Sequence, residues 1–175
     1  MILPLLQVVF LGALLLYLAK WRGSLRSRNI KSWDQLLCQI RTDWSARDLS
    51  NQFLWKQGLV VTPEEIWERV EGPHGLWVMH QNARVILEMA DFAARNATPD
   101  NPVDPMLVES IRTDAMQIRL CVLMAIAQYG ISSATAGVKV NAWRAADLYA
   151  NMAARMTQIM QNHAALRLPD FVAAM

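Results

Sequence analysis

The fold is decided between residues 75 and 95, which read GLWVMHQNARVILEMADFAAR. At 100° per residue, its apolar side chains form two separate faces of a helix. The remaining sector is a polar wedge formed by Gln81, Arg84, Glu88 and Asp91. Because Arg84 can pair with Glu88 four residues further along the helix, we expect this wedge to face solvent. A helix with two apolar faces belongs in the middle of a helical domain.

Helix start signals flank this segment on both sides. Ser32 to Gln35 has the form of a capping box, whereas Thr62-Pro63 and Asp104-Pro105 each combine a cap with a proline at the first helical position. We predict a first helix with its apolar face continuing to Trp44, a break near Ser45, and helix again to Gln57, where Gly58 ends it. The helix opened at Thr62 should stop at Gly72-Pro73.

Two more helices are predicted in the second half of the chain. One runs from Pro105 to Tyr129 and is closed by Gly130; its apolar run Leu120 to Ala127 is predicted to be core. The small residues Ile131 to Val140 are predicted to form a linker to a last helix, Asn141 to His163. Together these patterns predict an all-α bundle of four to five helices over residues 32–168, with a C-terminal tail at 169–175.

The N-terminal segment is predicted to be a transmembrane anchor. Residues 1–19 contain one conventionally polar side chain, Gln7, and span about 28 Å as a helix, which is close to the hydrocarbon thickness of a bilayer. A cleaved signal peptide is disfavoured because the positive charges follow the apolar run, and a buried core helix is disfavoured because the run lacks a polar stripe.

A basic collar at residues 20–31 follows the anchor. Its predicted membrane-surface contacts are Lys20, Trp21, Arg22, Arg26, Arg28 and Lys31. By the positive-inside rule the N-terminus lies outside, and the domain lies on the cytoplasmic side of the cell (inner) membrane. The collar would rest on anionic lipid headgroups. Removing its five basic charges from the net charge of +2 leaves −3 for the rest, which argues against a nucleic-acid partner.

Candidate chemical sites are sparse. Met152, Met156, Met160 and His163 lie on one helix face and could bind Cu(I), but methionine more often fills a helical core, which is the favoured interpretation. His74 and His80 are six residues apart, which does not suit a zinc pair on a helix. Cys38 and Cys121 have apolar neighbours and are predicted to be buried free thiols in a reducing compartment. We therefore predict no catalytic residue, cofactor or metal ligand.

The leading hypothesis is a membrane-tethered, non-enzymatic helical module, either an accessory subunit of a membrane complex or a docking platform for a protein partner. The expected partner is either another protein or a second copy of the chain in a homo-oligomer. Trp33 is the candidate partner contact because it lies nearest the collar, and Trp44 is expected to be core. The alternatives are a bundle that binds a small apolar ligand or a metal, and an unfamiliar membrane-associated enzyme. A filled core with an exposed apolar stripe would favour the docking module.

Overall fold

The computed structural model describes residues 32–41, 62–132 and 135–175, and all of them lie within one unit, Ser32–Met175. The regular elements of these ranges are helical, which confirms the all-α prediction for this part of the chain. The described ranges contain three long helices and three short ones. They are α1 (Trp33–Leu37), α2 (Pro63–Arg69), α3 (Pro73–Asn96), α4 (Pro105–Ser132), α5 (Ala136–His163) and, after a 3₁₀ turn at Ala165–Arg167, α6 (Leu168–Ala174).

The predicted helix starts are confirmed at atomic detail. The Ser32 side chain accepts a hydrogen bond from the backbone of Gln35 at 3.3 Å. At Thr62 the capping box is complete, because the Thr62 hydroxyl accepts from the Glu65 backbone and the Glu65 carboxylate accepts from the Thr62 backbone. Asp104 caps α4 by accepting from the backbone of Met106 at 2.8 Å. Each cap satisfies donors that a helix N-terminus leaves free.

The first helix is shorter than predicted. It ends at Leu37 instead of continuing to Trp44, and the last turn is tightened by bonds from Gln39 to Leu36 and from Ile40 to Leu37. After this turn, the backbone of Arg41 bonds to a side chain of α3. Asn82 accepts a hydrogen bond from the Arg41 N–H and donates one to the Arg41 C=O. The predicted break near Ser45 and the predicted end at Gly58 lie outside the described residues.

The connection between α4 and α5 also differs from the prediction. Helix α4 continues through Gly130 to Ser132, and α5 begins at Ala136 instead of Asn141, so most of the predicted linker is helical. A single glycine does not end a helix unless its backbone turns left-handed, and in the described residues the glycine with positive φ is Gly72. Gly137 allows close packing here, since a Cβ at this position would lie 3.3 Å from the Gln128 side chain.

Helix α3 is buried on two sides, as its two apolar faces predict, but α5 has more neighbours, since it packs against α2, α3, α4 and α6. Helix α3 packs against α4, α5 and α1. One face buries Leu76, Met79, Ala83, Ile86, Leu87 and Ala90, and the other buries Val78, Val85 and Met89. The prediction that the polar wedge faces solvent is wrong for Glu88, which is 4% exposed. Its carboxylate is turned inward and accepts a hydrogen bond from Arg84 Nε at 3.1 Å.

A second set of contacts joins the beginning and the end of this unit. The Asp34 carboxylate in α1 pairs with Arg167 at 2.9 Å, and α6 packs on α5 and α1. Residues of the predicted C-terminal tail form α6, in which Phe171 is buried, and Met175 just beyond it is buried as well. Met175 Sδ accepts a hydrogen bond from the buried Tyr149 hydroxyl, and Tyr149 also hydrogen-bonds Asn82.

Candidate functional site

The most distinctive surface of the described residues is an apolar stripe along α4. Met116, Leu120, Met124 and Ile131 are 44%, 42%, 52% and 86% exposed, and Ala127 is exposed between them. At 100° per residue, these five side chains fall within a sector of about 80°. They extend over about 22 Å of helix. We call these five residues the α4 stripe.

The α4 stripe is free of exposed charge. Between residues 113 and 131 the charged side chains are Asp114 and Arg119, and both are buried on the inner side of the helix. Asp114 pairs with Arg155 of α5. Burial raises the pKa of the Asp114 carboxyl, and the Arg155 guanidinium opposes that rise. An approaching apolar surface would therefore desolvate no charge on the stripe.

The stripe corrects the prediction that Leu120 to Ala127 is core. The opposite side of α4 supplies the core, through Ile111, Ala115, Ile118, Val122 and Ala125. Helices α3 and α5 both pack against that side. Among the described residues, α3 and α5 cover only part of the circumference of α4, and α2 adds a contact of Trp67 with Tyr129, so an all-round apolar sequence leaves one sector exposed. The signal for it was present in the sequence as the spacing Leu120, Met124, Ala127, Ile131.

The methionines of α5 lie in the core. Met152, Met156 and Met160 have no exposed surface, which confirms the packing interpretation of this stripe. His163, at the end of the same face, is half-buried. Within the described ranges, no group of three or more His, Cys, Asp or Glu side chains could hold a metal ion.

His80 has the more perturbed environment of the two histidines in α3. Burial lowers the pKa of its imidazole from 6.5 to about 4, and the positive charges of Arg119 and Arg84 act in the same direction. Its ring lies 5.2 Å from the Trp77 ring. His74, by contrast, is exposed at the start of the helix. The two side chains therefore occupy different environments.

Stability should fall as the pH decreases from 6.5 to 4, because the unfolded chain protonates His80 before the folded chain does. The pKa difference between 6.5 and about 4 corresponds to a loss of up to about 3 kcal/mol, which is complete once the pH is below 4. Urea unfolding at several pH values should show a shallower decline for His80→Gln. The matched control for removing an imidazole is His74→Gln, at an exposed position of the same helix. Equal slopes for His80→Gln and wild type would contradict the assignment.

The remaining predicted positions are distributed as follows. The prediction that both thiols are buried is wrong: Cys38 is exposed and Cys121 is half-buried, and both are free. The Trp33 ring is half-buried and packs edge-on against Phe92 of α3, with 5.0 Å between centroids. Whether Trp33 contacts a partner stays a prediction. Trp44 and the collar residues Lys20, Trp21, Arg22, Arg26, Arg28 and Lys31 lie outside the described residues.

Among residues 32–41, 62–132 and 135–175, none of the helices is both long enough and apolar enough to cross a membrane. The predicted anchor at residues 1–19 lies outside those ranges. Comparisons with protein-family models, with curated proteins and with solved structures gave no match.

Proposed function

We propose that this chain is a membrane-tethered, non-enzymatic helical module that docks a protein partner through the α4 stripe. The single observation that carries the proposal is that Met116, Leu120, Met124, Ala127 and Ile131 form one continuous, uncharged, exposed face. Isolated apolar side chains on a surface are ordinary, but a contiguous row is typical of a protein interface. Methionine, which supplies two of the five, adapts its shape to a partner.

The α4 stripe is also rigid before any partner arrives. Helix α4 is 28 residues long and is held along its inner side by α3 and α5. Its first turns are fixed further by Arg112, which pairs with Asp91 of α3 at 3.0 Å and with Glu109 at 2.6 Å. Because the helix is already ordered, binding would not need to offset the entropy of forming it.

The proposed tether is the apolar run at residues 1–19, followed by the collar with Lys20, Arg22, Arg26, Arg28 and Lys31. A run of that length suits one bilayer crossing, and basic residues after it favour a cytoplasmic domain. Such a tether would keep the α4 stripe close to the membrane and to other membrane proteins. Docking would then take place at the cytoplasmic surface of the cell membrane.

The test compares two double variants of the full chain, isolated from the membranes of the cells that express it. In Leu120→Lys/Met124→Lys, two charges lie on the α4 stripe. In Gln158→Lys/Asn162→Lys, the same spacing lies on the exposed side of α5. After chemical crosslinking in the intact membrane and then detergent extraction, light scattering should show wild type and the α5 variant in a defined complex heavier than the 19.8 kDa chain. The α4 variant should be monomeric with a melting temperature close to wild type.

Different results would remove different parts of the proposal. A wild-type chain that washes off membranes at alkaline pH would contradict the tether. A wild-type chain that is monomeric, or an α4 variant that keeps its complex, would contradict docking through the stripe.

A further inference from the structure

We infer that the occupant of the α4 stripe is a second copy of this chain, with the two α4 helices packed antiparallel. This inference rests on the proposed docking function and names the partner. The spacing of the stripe is the first argument. Leu120, Met124, Ala127 and Ile131 are separated by four, three and four residues, which is the a/d spacing of a coiled-coil seam. Such a seam matches another helix better than it matches a sheet edge or an extended peptide.

The distribution of charge is the second argument. Pairing a surface with its own copy brings like charges together, so most charged surfaces are excluded from self-association. From residue 113 to residue 131, α4 exposes no charged side chain. Along α4 itself, the nearest exposed charges are Glu109 and Arg112, about two turns and one turn before the stripe. In a parallel pair, Glu109 would lie next to Glu109 of the other copy, and Arg112 next to Arg112, so like charges would meet. In an antiparallel pair centred between Leu123 and Met124, both would project beyond Ser132, where the other α4 ends.

Side-chain size is the third argument. In the antiparallel register, Leu120 of each copy faces the small Ala127 of the other, and Met116 faces Ile131. Large residues opposite small ones fill a helix interface without gaps, and the two-fold axis repeats each contact. In a parallel register Ala127 would face Ala127 and leave a gap between the Met124 and Ile131 layers.

The extent of the stripe predicts a weak dimer. Two helices in contact over about 22 Å bury less surface area than a standard protein interface. Such a contact would not hold two copies together in dilute solution. Confinement of both copies to one membrane raises their effective concentration and compensates for this. Self-association should therefore be strongest in the intact membrane, and the test is made there.

The test uses disulfide trapping of full chains in membranes, with Cys38 and Cys121 replaced by serine throughout. Three single variants are made, Leu120→Cys, Ala127→Cys and Gln158→Cys, and each is produced with two different tags. In the antiparallel register, the thiol introduced at position 120 of one copy faces the thiol introduced at position 127 of the other. Two thiols at position 120 are offset by about 10 Å along the axis, which is too far for a disulfide. Leu120→Cys and Ala127→Cys chains are co-expressed and mildly oxidised. This mixture should give about tenfold more disulfide-linked dimer than either variant expressed alone, and about tenfold more than Gln158→Cys expressed alone.

The outcomes separate the inference from the proposed function. A dimer formed as readily by Leu120→Cys alone would indicate parallel packing and overturn the antiparallel register. A photo-crosslinker at residue 120 distinguishes the other cases. If it links only a different protein, the docking function stands and self-pairing is wrong. If it links no protein, both fail. If the yield of the mixed Leu120→Cys/Ala127→Cys dimer is no higher than that of the Gln158→Cys dimer, the crosslink results from random collision and the inference is also overturned.

Discussion

Replacing Ile86 with aspartate is expected to unfold the helical bundle. Ile86 lies in the middle of α3 with no exposed surface. An unpaired carboxylate at this position would cost about 4 kcal/mol or more, which is a large part of the stability of an ordinary domain. Far-UV circular dichroism of the full chain in detergent should show the cooperative thermal transition lost or shifted below room temperature.

The control for this variant is Ala94→Asp, eight residues further along the same helix. Ala94 is exposed, although the helical pattern placed it on the buried face with Ile86. A surface charge there should change the free energy of unfolding by no more than about 0.5 kcal/mol. If both variants unfold at the same temperature, the burial of Ile86 in the core would be contradicted.

The Asn82→Leu variant should destabilise the bundle by about 2–4 kcal/mol, because it leaves the groups that Asn82 binds without partners. Asn82 has no exposed surface. Its carbonyl accepts from the Arg41 N–H at 2.9 Å, and its amide donates to the Arg41 C=O at 3.0 Å. It also hydrogen-bonds the buried Tyr149. Denaturant unfolding measures the effect as a lower midpoint with an unchanged slope.

Gln81→Leu is the matched control for Asn82→Leu. Gln81 also contacts Arg41, but it does so through the guanidinium group at the surface, at 3.1 Å. Loss of an exposed hydrogen bond should cost less than about 1 kcal/mol, since water replaces it. A Gln81 effect as large as the Asn82 effect would indicate that the backbone contact is not what stabilises this junction.

Local signals in the sequence predicted local structure well. The caps at Thr62 and Asp104 work through residues two or three positions away, so the sequence contains both members of each hydrogen bond. The two apolar faces of α3 could be recognised for the same reason, since their spacing is a property of one helix. The core methionines Met152, Met156 and Met160 follow from the same periodicity.

Features that depend on distant residues were missed. Asn82 acts on a backbone group 41 residues earlier, and its neighbours give no indication of that contact. The Arg84–Glu88 spacing is the same whether the pair faces solvent or the core, so the burial of Glu88 could not be inferred. The exposure of Leu120 and Met124 depends on how many helices surround α4. That number is a property of the assembled bundle.

The contacts of α1 also define how the bundle would respond to mechanical load. Any pull that reaches Ser32 along the chain passes first through α1. In α1 and just after it, the pull meets several attachments, among them Trp33 on Phe92, the Asp34–Arg167 ion pair, and the hydrogen bonds of Asn82 and Gln81 to Arg41. The contacts of Trp33 and Arg41 lead into α3, and the ion pair leads to the turn before α6, so the load would be carried by both of these parts of the bundle. Tension at this end would be shared by several contacts before any long helix begins to unravel.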